Sequence, residues 1–396
     1  MKAYFLSYSH SDGQLADTVE KTFKTHGVRI WRDKHDLAPG QRFADTIQRA
    51  INEQCGGLII VVTPQSLASG FITNIELPEA HRARLPILPL FFGIPIKEVK
   101  HLSPQAIGFD LTAFQGANVL SPSESEDEAV VQQKVGEAAW KTLRELLKQR
   151  KTEGRAEPLR VALHSRQYVA DEDADIDLDW RGYFQNRLPN PEVWSETLLP
   201  ALNRVKRAIT ESGLGTPELF LPFGVHLSIG LAFGFVFLQQ TRFHLTIQQY
   251  SQIWSTRTDP AICQTVPSLV YDREQADIDD PSSDEVALGV GIVQPQSVRS
   301  ALDGVSGIRL KRNLVLPSDI SRVPDGTHAL CWAKQIVDAI DELRAGPGIK
   351  IVHLYPATPF GMAVMLGWLL NARGVIQVYE WDKENGKYRA ACRLSG

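Results

Sequence analysis

Two nonapeptides decide how this sequence folds: residues 222–230, PFGVHLSIG, and residues 359–367, PFGMAVMLG. Both begin with Pro-Phe-Gly and end with Gly at the same spacing, and they start 359 − 222 = 137 residues apart. A strand-like apolar run precedes each copy, and a helix-like segment followed by a second strand-like run comes after it. The pattern predicts two copies of one strand–turn–helix–strand unit, at about 159–282 and 283–396.

The composition is that of an ordinary globular protein: 396 residues, 43% apolar and 22% charged. A formal net charge of −4 does not favour a DNA partner, because duplex-binding proteins are usually basic. The most apolar stretch, 219–238, is interrupted by His226 and Ser228, so we predict a buried strand, turn and helix there and no membrane partner. The start, MKAYFLSYSHSD, does not have the pattern of a signal peptide. We therefore predict a cytoplasmic location.

The cysteines and histidines give no sign of a metal site. Four cysteines, at 55, 263, 331 and 392, and ten histidines show no metal-ligand spacing. Isolated cysteines of this kind predict reduced, packed thiols. We predict no metal and no resident cofactor.

Residues 1–150 alternate apolar strand-like runs with amphipathic helix-like runs. This alternation predicts an α/β domain with a parallel sheet covered on both faces. The polar segment 151–158, KTEGRAEP, predicts a linker, and the acidic run 171–179, DEDADIDLD, predicts a solvated loop. Ligands of parallel sheets bind beyond the carboxyl ends of the strands. We therefore expect ligand-binding or catalytic residues in the loops after FLSYS, RIWRD and IVVT.

The repeated turn has two interpretations. A glycine at a helix start leaves backbone N–H groups free, and a helix N-terminus at the edge of a parallel sheet attracts phosphates. Two such edges side by side would suit a ligand with several phosphates. Alternatively, the glycines inside the helices only permit close packing against the sheet. The sequence by itself leaves both interpretations open.

The second half of the chain resembles the SAVED domain, over about residues 156–396. The resemblance rests on HLYPATPFGMAVMLGWLL, VIQVYEWD and YRAA, with LPFGVHLSIGLAFGF as the counterpart in the first copy. It implies two fused CARF-like, Rossmann-type units that bind a cyclic tri- or tetranucleotide, and it favours cyclic tri-adenylate. By position in the two copies, we expect the ring to contact Pro222, Phe223, Gly224, His226, Pro356, Thr358, Pro359, Phe360 and Gly361. Arg166 follows the first strand of the first unit and is a candidate phosphate contact.

The first 150 residues resemble a TIR domain, which implies a flavodoxin-like parallel sheet. The blocks AYFLSYSHSD, VRIWRDKHDLAPGQRFADTIQRAI and GGLIIVVTPQSLASGFITNIELPEA carry the resemblance. Some TIR domains cleave NAD+ at the nicotinamide–ribose bond with a glutamate on the helix after the third strand, and the match gives that role to Glu76. Ile72 stands where many members have a large aromatic residue, so Glu79 remains the alternative.

Further NAD+ contacts are expected after the first two strands and after the BB loop: Tyr8, Ser9, Trp31, Arg32, Asp33 and Phe43. An aromatic ring such as Trp31 stacks on a base, and Arg32 suits a diphosphate. For the aromatic residues, hydrophobic packing is the alternative interpretation.

Together the two resemblances imply a cyclic-oligonucleotide-activated NAD+ hydrolase, an antiviral abortive-infection effector of a bacterial CBASS system. We expect the ring to bring protomers together, and a head-to-tail contact that does not close gives a helical filament. Two alternatives stay open. One is a non-catalytic TIR adaptor gated by a cyclic nucleotide. The other is a sensor that cuts its own ring, for which the sequence shows no catalytic pair.

Overall fold

In the computed structural model the chain divides into two compact units, residues 1–154 with 172–178 and residues 155–171 with 179–396. The structure describes residues 2–32, 43–114, 118–120, 127–155, 158–185, 188–257 and 260–395. Within these ranges, no helix is both long enough and apolar enough to cross a membrane.

A five-stranded parallel sheet forms the centre of the first unit. Its strands are β1 (Ala3–Ser7), β2 (Ile30–Trp31), β3 (Cys55–Val62), β4 (Ile87–Phe92) and β5 (Asn118–Leu120). They lie in the order β2-β1-β3-β4-β5, all parallel, which is the flavodoxin-like order. The predicted fold class of this unit is confirmed.

The helices of the first unit are α1 (Gly13–Thr25), α2 (Phe43–Arg49), α3 (Pro64–Ala68), α4 (Leu77–Arg82), α5 (Ile96–Ile107) and α6 (Glu128–Thr152). Wide π turns extend α2 at its end (Ala50–Gln54) and precede α4 (Ile72–Glu76). Helix α1 ends where Gly27 takes a φ of 85°, a conformation that glycine adopts without steric cost.

Two sheets form the core of the second unit. The strands of the first are β6 (Leu159–His164), β8 (Glu218–Leu221), β9 (His244–Gln249) and β10 (Gln252–Ser255). A further strand, β7 (Ile176–Asp179), belongs mostly to the first unit. The strands of the second sheet are β11 (Val270–Tyr271), β12 (Asp277–Ile278), β13 (Glu285–Gly291), β14 (Leu310–Val315), β15 (Ile351–Ala357), β16 (Val375–Asp382) and β17 (Lys387–Ser395). The orders within the second unit are β10-β9-β8-β6 and β11-β14-β13-β15-β16-β17, with β12 also paired to β14.

The helices of the second unit are α7 (Arg181–Phe184), α8 (Pro191–Val193), α9 (Leu199–Glu211), α10 (Leu227–Val236), α11 (Pro295–Asp303), α12 (Gly326–Arg344) and α13 (Phe360–Leu369). A π turn at Trp194–Leu198 joins α8 to α9. Helices α10 and α13 are the two copies of the repeated segment.

The predicted repetition is confirmed by the order of elements around α10 and α13. In the first copy β8 leads through α10 to a parallel neighbour, β9, and then to the antiparallel β10. In the second copy β15 leads through α13 to the parallel β16 and then to the antiparallel β17. The predicted boundary at 282/283 is wrong, because β11 and β12 already pair with β14 of the second sheet.

The glycines inside the two repeated helices allow these helices to contact each other. A side chain at Gly234 of α10 would overlap the backbone of Val364 and Trp368, and one at Gly367 of α13 would overlap the backbone of Leu231. These glycines therefore permit close packing, as predicted, but the prediction of the sheet as the partner is wrong, because they approach the other copy's helix.

The acidic run 171–179 is not the solvated loop that we predicted. Part of it forms β7, and the carboxylates of Asp175 and Asp177 are buried. Arg150 donates to Asp175 at 2.8 Å, and Arg29 donates to Asp177 at 2.7 Å. A buried carboxylate needs such a partner, and these partners are distant in sequence, so the local charge pattern was misleading.

The prediction of four reduced thiols is also wrong. Cys263 and Cys331 form a disulfide, whereas Cys55 and Cys392 are buried free thiols. The bonded pair is 68 residues apart in the chain, and it joins the turn Pro260–Thr265 to α12. Only the tertiary arrangement brings these two sulfur atoms together.

Candidate functional site

The π turn before α4 places Glu76 at the point where the helical path widens. The backbone N–H of Leu77 bonds to the carbonyl of Ile72, five residues back. Pro78 follows immediately; it has no N–H, and its ring would clash with the carbonyl one turn earlier. A wide turn accommodates such a residue, and single π turns often occur at functional sites.

Glu76 is held by the first strand of the sheet. The hydroxyl of Ser7 donates to Glu76 Oε2 at 2.6 Å, and both residues are buried, with 1% of Ser7 and 6% of Glu76 exposed. Ser7 is the last residue of β1, so the carboxylate lies at the carboxyl edge of the sheet, where ligands of parallel sheets bind. Sequence reasoning missed Ser7, although its position at the end of β1 was a usable signal.

Glu79 has a different environment. Its two oxygens accept from Asn52 Nδ2 at 2.9 Å and from Arg82 Nη1 at 2.7 Å. Both carboxylate oxygens therefore already have a side-chain donor on neighbouring helical segments. This arrangement is typical of a structural carboxylate.

The structure contradicts the predicted contact between Arg32 and a diphosphate. Only 1% of Arg32 is exposed, and its guanidinium bonds to Asp17 and Glu20, at 2.5 and 2.8 Å, and lies 4.4 Å over the ring of Tyr8. Burial by itself lowers the pKa of Arg32, but the bonds to Glu20 and Asp17 outweigh it and raise that pKa. Arg32 is therefore a buried ion-pair partner of α1, and the half-buried Tyr8 lies against its guanidinium.

The other predicted NAD+ contacts are dispersed. Trp31 stacks on Phe5 with ring centroids 5.1 Å apart and packs against the core of the first unit. Ser9 is half-buried, and its hydroxyl lies 3.0 Å from that of Ser11. Phe43 is the first residue of α2, and Asp33 lies outside the described residues.

A second candidate site is a cavity of about 1000 Å³ in the second unit. It is bordered by the turns before α10 and α13 and by the ends of β9 and β16. Nine of the ten predicted ring contacts line it: Pro222, Phe223, Gly224, His226, Pro356, Thr358, Pro359, Phe360 and Arg166. The two copies of the repeat thus contribute to one shared cavity.

Gly361 is the predicted contact that does not line the cavity. Its backbone N–H donates to Gln249 Oε1 at 2.8 Å, and a side chain there would meet the ring of Trp254 at 2.6 Å. Gln249, at the end of β9, therefore occupies the start of α13. A side chain of the other copy therefore accepts one N–H of this helix start, so that this N–H is not free to bind a phosphate.

The start of α10 is occupied in the same way. Glu380 on β16 accepts the backbone N–H of Ser228 through Oε2 at 2.6 Å. Burial raises the pKa of Glu380, while the N–H groups of Ser228 and Leu227 and the charge of Arg166 act in the opposite direction. Each repeated helix is thus capped by a side chain from the other copy, with Gln249 at one and Glu380 at the other.

Thr358 has the environment expected of a ligand contact. It lines the cavity, and 6% of it is exposed. Among the residues that the structure describes, its hydroxyl has no hydrogen-bond partner. Buried hydroxyls nearly always have one.

His226 is a neutral hydrogen-bonding group of the cavity. Its Nδ1 lies 2.8 Å from the hydroxyl of Ser165, and its ring stacks on Phe184 with centroids 4.6 Å apart. Burial, aided by the charge of Arg166, lowers the pKa of His226 to about 4. The imidazole is therefore uncharged at neutral pH.

Among the described residues that line the cavity, carboxylates outnumber cations by three to two. The cations are Arg166 and Lys383, and the carboxylates are Glu380, Asp382 and Glu384. Asp382 is buried and lies 3.5 Å from Arg389, whereas Arg166, Lys383 and Glu384 are exposed.

Comparison with known proteins gives two family matches. The model of the SAVED family, described as "SMODS-associated and fused to various effectors sensor domain", matches residues 199–394. The TIR domain model matches residues 5–128. No curated protein matches the chain.

Two of the similar solved structures are of the Acinetobacter baumannii Cap4 SAVED/CARF-domain containing receptor, with the cyclic trinucleotides 3'3'3'-cAAA and 2'3'3'-cAAA. Each is 15% identical to this chain with a TM-score of 0.50, and the match covers 91% of this chain and 87% of the other. At this identity the likeness concerns the fold alone.

Proposed function

Because this chain combines a TIR domain with a SAVED sensor domain, we propose that it is a cyclic-oligonucleotide-activated NAD+ hydrolase. Its role would be that of an antiviral abortive-infection effector. The observation that best supports the hydrolase is Glu76, buried at the carboxyl edge of the parallel sheet and bonded to Ser7 at 2.6 Å. Domain boundaries at 150/151 and 158/159 remain part of this proposal.

The proposed chemistry places positive charge next to the Glu76 carboxylate. Breaking the bond between ribose and nicotinamide builds oxocarbenium-like charge on the ribose, as in glycoside hydrolysis. A carboxylate held near the ribose stabilises that charge, and nicotinamide departs as a neutral ring without an acid catalyst. Ser7 holds the carboxylate through Oε2, so the side chain keeps a fixed direction at the edge of the sheet.

The cavity of the second unit supports the proposed activator. Its volume of about 1000 Å³ suits a ring of three or four nucleotides, and Thr358 offers a hydroxyl without a protein partner among the described residues. Aromatic side chains of its lining, such as Phe223, Trp381 and Tyr388, offer faces for bases. Because the similar Cap4 receptors are described with cAAA rings, we propose cyclic tri-adenylate as the first ring to test.

We also propose that ring binding brings protomers together head to tail into a filament, in which TIR domains meet and become active. The BB loop at 34–42 lies outside the described residues. The proposal of assembly rests on the fused arrangement of an enzyme and a sensor.

The decisive experiment measures nicotinamide release from NAD+ by the full chain, with a panel of cyclic di-, tri- and tetranucleotides. We expect release with one ring, and a fall of about 100-fold or more in Glu76→Gln with ring affinity retained. Light scattering with the same ring should show growth in particle size. Tight binding of a ring without any release would favour the non-catalytic adaptor, and no growth in size would exclude activation by assembly.

A further inference from the structure

Glu380 is an unusual residue in the cavity proposed for an anion. It lies on β16 and lines the cavity, and only 4% of it is exposed. Its Oε2 accepts the N–H of Ser228 at 2.6 Å, at the first turn of α10. A carboxylate therefore occupies the helix start that would otherwise attract a phosphate.

The other copy shows that capping does not require a charge. At the start of α13 the neutral amide of Gln249 accepts the N–H of Gly361 at 2.8 Å. Glutamate and glutamine have nearly the same shape and both offer a side-chain oxygen as acceptor. Helix capping therefore does not explain why position 380 carries a negative charge.

Few charges around Glu380 offset its own. Arg166, which is exposed, acts on it favourably. The charge of Glu380 helps to raise the pKa of Tyr388 and of Cys392 on β17, after burial, and His226 before α10 is neutral because burial lowers its pKa to about 4. A phosphate that enters this region meets the carboxylate with little compensation.

We propose that Glu380 sets the affinity for the cyclic oligonucleotide: its carboxylate opposes the phosphates of the ring, and the ring binds the protein with Glu380 protonated. At pH values where Glu380 is ionised in the free protein, binding of each ring takes up one proton from solvent, and departure of the ring releases it. The carbonyl oxygen of the protonated acid still accepts the Ser228 N–H. This inference rests on the proposed function of the cavity.

The direction of the pH effect follows from this linkage. Burial raises the pKa of Glu380, so the protonated form persists to higher pH than in an exposed glutamate. Above that pKa the carboxylate dominates, and ring affinity falls by up to about tenfold per pH unit. Neither Arg166, always charged, nor His226, neutral at these pH values, contributes such a slope.

The test compares the Kd of 3'3'3'-cyclic tri-adenylate for the wild-type chain, Glu380→Gln and Glu384→Gln, at about pH 6 and about pH 8. Glu380→Gln keeps the acceptor for Ser228 and removes the charge, so we expect binding on the order of tenfold tighter at the higher pH, without a pH slope. Glu384→Gln removes an exposed charge from the same cavity and should change Kd by less than about twofold, because solvent screens it.

Each outcome is decisive. If folded Glu380→Gln binds no tighter than wild type, or keeps the pH slope, the proposal is wrong. If that variant does not fold, calorimetry of the wild type at about pH 8 in two buffers of different ionisation enthalpy still measures proton uptake, and zero uptake overturns the proposal. Failure of all three proteins to bind any ring would instead refute the sensor function of the cavity.

Discussion

Glu76 in the first unit and Glu380 in the second are both buried carboxylates, and each accepts a hydrogen bond of 2.6 Å from a serine. The donors differ. Ser7 offers its hydroxyl from the end of a strand, whereas Ser228 offers its backbone N–H from the start of a helix. The proposed partners also differ in sign, since Glu76 would meet developing positive charge and Glu380 would meet phosphates. Burial alone therefore does not identify a catalytic carboxylate. The charge of the group that the carboxylate faces decides its role.

The largest effect expected to sharpen this comparison comes from Ser7→Ala. Loss of the donor should lower the kcat of nicotinamide release about tenfold, with little change in KM, because the carboxylate loses its direction. The acidic limb of the pH–rate profile should move to higher pH, since a carboxylate without that donor is easier to protonate. Ser7→Thr keeps a hydroxyl and should restore part of the rate.

Ser103→Ala is the matched control for Ser7→Ala. Ser103 is a buried serine of the same unit whose hydroxyl accepts the N–H of Leu111 at 3.2 Å. Loss of this hydroxyl should lower the free energy of unfolding by about 1 kcal/mol. The pH–rate profile of nicotinamide release should not shift. If Ser7→Ala and Ser103→Ala gave the same pH–rate profile, Ser7 would only stabilise the fold.

A smaller effect is expected from Thr358→Val in the cavity. Valine keeps the shape and removes the hydroxyl, so ring affinity should fall about fivefold in an equilibrium titration, while stability stays the same or rises. Thr246→Val is the control, because the Thr246 hydroxyl bonds to Glu218. This variant should lose stability, and its affinity for the ring should stay unchanged. Unchanged affinity of Thr358→Val would remove Thr358 from the ring site.

The smallest effect is expected from Glu79→Gln. Both oxygens of Glu79 already accept hydrogen bonds, from Asn52 and Arg82, so the NADase rate measured with the activating ring should stay within about twofold of wild type. A loss as large as that of Glu76→Gln would reverse the assignment of the two glutamates.

Many of the elements could be predicted because their signals are local. The alternation of apolar and amphipathic runs gave the parallel sheet of the first unit, and the repeated nonapeptide gave the two copies in the second. Nine of the ten predicted ring contacts line one cavity, because equal positions in two copies of one unit reach equivalent sheet edges. Glu76 was expected from the resemblance to TIR domains, and the structure places it beside Ser7, the last residue of β1.

The rest depends on residues that are distant in sequence. Arg32 looked like an exposed cation at a strand end, but Asp17 and Glu20 on α1 bury and neutralise it. The acidic run became part of the fold because arginines from elsewhere pair with it, and Cys263 meets Cys331 across 68 residues. No local pattern encodes such pairs.

By itself, then, the sequence determined the order of elements, the repetition and the edges at which ligands are expected, because backbone periodicity and turn chemistry act over a few residues. Only the tertiary structure decided that Gln249 and Glu380 cap the helices of the opposite copy. Each cap occupies one of the N–H groups that a phosphate at that helix start would otherwise meet. The physical reason is that a hydrogen bond requires two groups within about 3 Å, and folding alone determines which distant groups come that close.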